Sequence, residues 1–144
     1  MKARMVVAAA LLGASVMCFA VADGSWLKKV PQAERERVNP YAGKPDAALA
    51  GGNLFRNNCA RCHGANAEGR GSRPSLKSDR LATATDGEIA WIIKNGQMYK
   101  GMPSWGGLPE QERWQIVAFL RSLNPPSGIL SQPAARPDAN GGQK

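Results

Sequence analysis

The stretch Cys59-Ala60-Arg61-Cys62-His63 constrains this chain more than any other part of it. Two thiols three residues apart, followed at once by an imidazole, can add across the two vinyl groups of a haem while the histidine ligates its iron. A C-x-x-C pair alone also occurs in zinc sites and redox-active disulfides. A structural zinc ion needs four ligands, however, and the sequence holds a single histidine and no second cysteine pair. A thioredoxin-like pair would open a helix within an alternating strand and helix pattern, whereas here the pair follows a helical stretch and no strand pattern is visible. The motif therefore reads as the attachment site of one covalent haem, with His63 as an iron ligand.

The beginning of the chain agrees with that chemistry. Lys2 and Arg4 precede an apolar run from Met5 to Met17, and Ala20-Val21-Ala22 follows as a small-residue cleavage signal, so residues 1–22 are expected to be a signal peptide removed on export. Retention as a membrane anchor and lipid attachment at Cys18 are the alternatives; the run is short for a bilayer, and Met17 is large for the residue before a lipidated cysteine. Cleavage would remove Cys18 and leave only the two thiols of the motif. It would also take the formal charge from +8 to +6 through the loss of Lys2 and Arg4. A basic exported chain with no long cationic run and no basic-aromatic motif points away from nucleic acid and toward transient docking on acidic protein surfaces.

Along the mature chain, residues 23–45 read as an N-terminal extension rich in proline and charge, with one helical turn opening at Pro31 and running to Val38, and with Trp26 or Tyr41 as anchors to the domain surface. Pro45 suits the first turn of a helix reaching Asn58. Gly51 and Gly52 cost that helix about 1 kcal/mol each relative to alanine, which implies a close helix crossing. Residues 64–78 are expected to be loop. Thr85-Asp86-Gly87-Glu88 fits a capping box opening a second helix that Gly96 ends. A third helix begins at Pro109, carries Ile116, Phe119, Leu120 and Leu123 on one face, and stops at Asn124-Pro125-Pro126. Residues 126–144 are small, polar and rich in proline and glycine, and are expected to be a flexible tail.

A single histidine means that the second axial ligand cannot be another histidine of this chain. Met98 and Met102 are the thioether donors left after signal removal. Met102 is favoured, because Gly101 allows close approach to a ring and Pro103 fixes the chain beyond it; the ordinary role of Met98 is to fill a gap in a core. Trp91 and Trp114 read as core residues, and Trp105 either borders the haem or sits beneath the methionine loop. Lys77, Lys94, Lys100, Arg70 and Arg73 could form a docking ring.

From 46 to 125 the order of helix, C-x-x-C-H, proline loop, middle helix, methionine loop and last helix resembles the class I c-type cytochromes, small monohaem bacterial proteins. The resemblance implies an all-α fold of three main helices around one covalent haem c. It also implies a crossing of the first and last helices through Gly51, Phe55 and Phe119, joined by Ile116. Cys59, Cys62, His63, Pro74 and Met102 become the cofactor-binding residues, with Pro74 orienting His63 through its carbonyl and the Gly101-Met102-Pro103 run supporting Met102 beside His63 as iron ligand. The function it implies is a soluble periplasmic carrier of single electrons between a dehydrogenase or reductase and a terminal acceptor, and not an enzyme. A haem-bearing subunit of a larger dehydrogenase complex, or a haem enzyme or gas sensor with a labile sixth ligand, are the rival readings.

Overall fold

A computed structural model describes residues 24–124. The expected signal peptide, Pro125 and the tail at 126–144 lie outside the described residues. Within them the secondary structure is helical: short 3-10 turns at Ser25–Lys29 and Met98–Lys100, and helices α1 (Gln32–Arg35), α2 (Pro45–Asn58), α3 (Ala60–His63), α4 (Asp79–Thr83), α5 (Asp86–Asn95) and α6 (Glu110–Leu123). The extended segments form only isolated bridges, Arg70 with Arg73 and Gln97 with Met102.

The principal contact is the crossing of α2 and α6. Gly51 permits it: a methyl group added there would overlap the backbone carbonyl of Gln115. With the backbones this close, Phe55 and Phe119 meet with ring centroids 5.2 Å apart and planes 46° apart. Phe55, Ile89, Ile116 and Val117 are fully buried around them. Truncating a buried phenylalanine of this kind costs about 3–5 kcal/mol, so the crossing carries much of the stability.

Helix α5 starts at the expected capping box. The Glu88 amide donates to Thr85 Oγ1 at 3.1 Å, and the Thr85 amide donates to Glu88 Oε2 at 2.8 Å. Gly96 ends the helix in a positive-φ conformation. Arg121 of α6 ties the start of α5 down, donating to Asp86 Oδ1 at 2.6 Å and to the Leu81 carbonyl at 2.8 Å. Three differences from expectation are small. The turn after Pro31 closes at Arg35 rather than Val38, Pro109 caps α6 rather than occupying its first helical position, and α4 follows the 64–78 loop in a stretch to which the sequence assigns no element. Trp114 is buried as expected, while Trp91 is only half-buried.

The extension is docked more firmly than a surface arm. Val30 and Asn39 are buried, and Trp26, Leu27 and Tyr41 pack against the core. Asn39 Nδ2 donates to the Trp114 carbonyl at 3.1 Å, across 75 residues of sequence.

Candidate functional site

The motif sits where α2 gives way to α3. The Cys59 amide still donates to the Phe55 carbonyl at 2.8 Å, while the Cys62 and His63 amides both donate to the Cys59 carbonyl at 3.0 Å. This single turn brings both thiols and the imidazole to one end of α2. Cys59 and Cys62 are half-buried and not joined to each other. Burial, with a smaller contribution from the neighbouring Cys62, pushes the Cys59 thiol up to about 11, so at neutral pH it is held protonated and is a weak nucleophile.

His63 is oriented by the loop that follows it. Its Nδ1 lies 3.1 Å from the Pro74 carbonyl, which can only accept, so Nδ1 carries the proton and Nε2 keeps the lone pair a metal needs. That carbonyl is fixed in turn. Arg73 donates its amide to the Arg70 carbonyl at 2.9 Å, Leu76 donates to the Ala67 carbonyl at 2.8 Å, and Asn124 Nδ2 donates to the Leu76 carbonyl at 2.8 Å. Gly69 is required here: its φ is +88°, and a side chain would meet the backbone of Arg73 and Ser75 at 2.8 Å.

Beside the motif opens a cleft of about 290 Å³. Phe55, Ile116 and Leu120 come to it from the helix crossing, and Leu81, Ile89, Ile92 and Ile93 from α4 and α5. Cys59, His63, Pro74 and Met102 all line it; Cys62 stands next to it on α3 without lining it. Met102 is presented by a closed loop, since Gln97 and Met102 exchange backbone hydrogen bonds of 2.7 and 3.1 Å and Gly101 turns the chain with φ +77°. Met98, on the same loop, is 72% exposed and does not line the cleft. Of the cations expected to ring the site, Arg73 and Lys100 line the cleft, whereas Arg70, Lys77 and Lys94 are exposed outside it. Arg73 also joins the loop of Pro74 to the loop of Met102, its Nη1 donating to the Lys100 carbonyl at 2.9 Å and the Gly101 carbonyl at 3.3 Å. Trp105 is absent from the lining; its amide donates to the Ile93 carbonyl at 3.0 Å, and its ring packs against the core.

Trp26 and Arg80 are among the lining residues that escape sequence reasoning. Trp26 reaches the cleft from the extension, where it reads only as an anchor, and Arg80 reaches it from α4. Arg80 Nη1 is buried without a hydrogen-bond partner. A buried donor on a cation left unmatched is costly and points to an absent anion. No local pattern marks either residue, because each acquires its place through contacts distant in sequence.

A haem is a flat apolar macrocycle with two carboxylates at one edge. The apolar cleft, the adjacent thiol pair, the imidazole with its free Nε2 and the unmatched Arg80 nitrogen fit those requirements. The chain is similar to proteins built for such a group. It is 32% identical over 93 residues to cytochrome c550 of Pseudomonas aeruginosa, covering 59% of this chain and 61% of that one. It is 41% identical over 86 residues to the cbb3-type cytochrome c oxidase subunit CcoP of Rubrivivax gelatinosus, covering 58% of this chain but only 28% of that protein. A third relative, cytochrome c-554(547) of Halothiobacillus neapolitanus, is 34% identical over 87 residues, which is 53% of this chain and 96% of the relative. The chain thus spans less than two thirds of the first two relatives and nearly all of the third. Among solved structures, cytochrome cL of Methylophaga aminisulfidivorans superposes with a TM-score of 0.51 at 30% identity, over 58% of this chain and 57% of that one. The family model described as cytochrome c oxidase, cbb3-type, subunit III matches residues 46–120, just over half of the chain. The chain belongs to that family, and is an all-α class I c-type cytochrome whose cofactor is one covalently bound haem c.

Proposed function

We propose that this cytochrome is a soluble periplasmic carrier of single electrons, with Cys59 and Cys62 as the thioether positions and His63 and Met102 as the two axial ligands of the iron. The observation that carries the reading is the sorting of the two methionines, Met102 lining the cleft beside Cys59 and His63 while Met98 is 72% exposed. Bound there, the haem supplies a one-electron couple, and a methionine ligand raises its potential. The protein's part is to hold and insulate. The bond from His63 Nδ1–H to Pro74 fixes the imidazole and makes Nε2 a better donor, Arg73 holds the methionine loop to the proline loop, and Phe55, Ile89 and Ile116 keep water out. Two protein ligands leave no position for a substrate, which favours electron transfer over catalysis or gas binding. The basic surface suits brief docking on acidic partners, with rates that fall as salt rises. The reading keeps residues 1–22 as a cleaved export signal, 23–45 as an extension, 46–125 as the haem domain and 126–144 as a tail.

Absorption spectra of the exported protein in both oxidation states test it. Met102→Ala should lose the weak methionine-to-ferric-iron band and bind added imidazole, while Met98→Ala should match the wild type. Loss of the band in Met98→Ala alone, or an open-site spectrum in the wild type, would overturn the assignment.

A second reading, as the haem subunit of a larger complex, is favoured by the family description and by the 41% identity to a stretch of an oxidase subunit. Deleting residues 23–45 does not separate the two, because Asn39 and Val30 belong to the core. Isolation of the tagged full chain does: a carrier elutes at the mass of one chain, and a subunit elutes with its oxidase or dehydrogenase.

A further inference from the structure

The segment Gly24–Asn39 precedes the region matched by the family, 46–120, yet it reaches the cleft. Gly24 and Trp26 both line it. The segment is fastened from end to end. Arg35 is its hub, donating from Nε to the Val30 carbonyl at 3.1 Å, from Nη1 to Glu88 Oε1 at 2.8 Å, and from Nη2 to the Leu27 carbonyl. The Arg35 carbonyl accepts from Thr85 Oγ1 at 2.8 Å, so the residue that caps α5 also grips the segment. Gly87 lets the segment lie against the first turn of α5, since a methyl group there would overlap the Glu34 carbonyl. Arg37 pairs with Glu110 and stands 5.1 Å from the Trp114 ring, and Asn39 bonds the Trp114 carbonyl.

Two further contacts tie the segment to the site itself. Lys29 Nζ lies 4.4 Å from the centroid of the Tyr99 ring, on the loop that presents Met102. Gly24 faces the Arg80 side chain so closely that an added methyl would stand 3.2 Å from it, and Arg80 bears the buried unpartnered nitrogen.

We propose that Gly24–Asn39 is a built-in wall of the haem site, in which Trp26 covers the haem on one side while Gly24, having no side chain, leaves room for Arg80 beside it at the cleft. The proposal rests on the haem reading of the cleft. Trp26 is a positioning and insulating residue: it excludes water from the haem surroundings, and exclusion of water disfavours the more highly charged oxidised iron and raises the potential.

The test uses the haem-loaded full chain. The four indole N–H resonances, from Trp26, Trp91, Trp105 and Trp114, are followed by nitrogen-15 NMR in the ferrous and ferric states, with Trp26→Phe to identify one of them. Trp26 should show the largest redox-linked shift; a shift no larger than that of Trp91, which borders a separate pocket on the far side of α5 with Glu34 and Arg37, would overturn the proposal. In Trp26→Ala, poised at the wild-type midpoint potential, the ratio of reduced to oxidised haem should fall about threefold or more, and Trp26→Phe should restore most of it. An unchanged ratio in Trp26→Ala would equally overturn it. If Trp26→Ala fails to fold, the wild-type indole shifts decide alone. Haem staining of the denatured wild type keeps the two failures apart: no stain defeats the haem reading, whereas stain without an indole shift defeats only the wall.

Discussion

At the crossing of α2 and α6 the protein supplies every partner it needs, from Gly51 against the Gln115 carbonyl to Phe55 against Phe119. A few residues further along the same helices, at the cleft, it does not. Phe55, Ile116 and Leu120 line the apolar cleft there, and Arg80 keeps a buried nitrogen unmatched. The crossing is complete as protein, while the cleft becomes complete only with a cofactor. Contacts at the crossing should therefore govern global stability, and contacts around the cleft should govern the properties of the haem.

The most severe way to test that contrast is Gly51→Val. The overlap is with backbone, which no rotamer change relieves, so the haem-loaded protein should lose about 3 kcal/mol or more in urea unfolding. Gly107→Ala, where nothing lies within 4 Å, should stay within about 0.5 kcal/mol. Arg73→Met probes the other side. Removing the bonds from Arg73 to the Lys100 and Gly101 carbonyls should cost about 1 kcal/mol or less of global stability, but imidazole should displace the proposed ligand Met102 several times more readily. If Arg73→Met destabilised the fold as strongly as Gly51→Val, the contrast would collapse.

The smallest effect concerns acid. The Trp114 indole N–H, then the Arg37 guanidinium, hold the Glu110 carboxyl below its ordinary value. A carboxyl whose folded value is depressed stabilises the fold above its unfolded value and loses that contribution as pH falls through the folded one. Glu110→Gln should therefore remove a small contribution at neutral pH and make no difference once the carboxyl is protonated, which slightly flattens the acid limb below about pH 4.5; the effect is slight because Glu110 is exposed.

What could be read from the sequence follows the same division. The Thr85 and Glu88 capping box spans four residues, and the spacing of Gly51 and Phe55 is one helical turn, so both were visible as local patterns. The motif at Cys59 to His63 was legible because its chemistry is contiguous, and Gly101 and Pro103 drew attention to Met102, which lines the cleft. The short helix α4 carries no periodic apolar stripe to announce it. Trp26 was hidden for a different reason: the segment that carries it is fastened by Arg35 meeting Glu88 across 53 residues and Asn39 meeting Trp114 across 75. A proline-rich, charged composition suggests a loose arm, and it becomes a wall only because Arg35 and Asn39 find carbonyl and carboxylate partners on α5 and α6.

Those same long-range bonds impose an order in time. Residues 24–39 leave the ribosome before Glu88 and Trp114 exist, so the segment cannot take its place until those residues have followed it. Long loops must close before such contacts form. Meanwhile the cleft lacks one of its walls, and a group as large as a haem has a way in before Trp26 arrives. Attachment at Cys59 and Cys62 would then come first and docking of the segment second, so that the beginning of the chain closes the assembly.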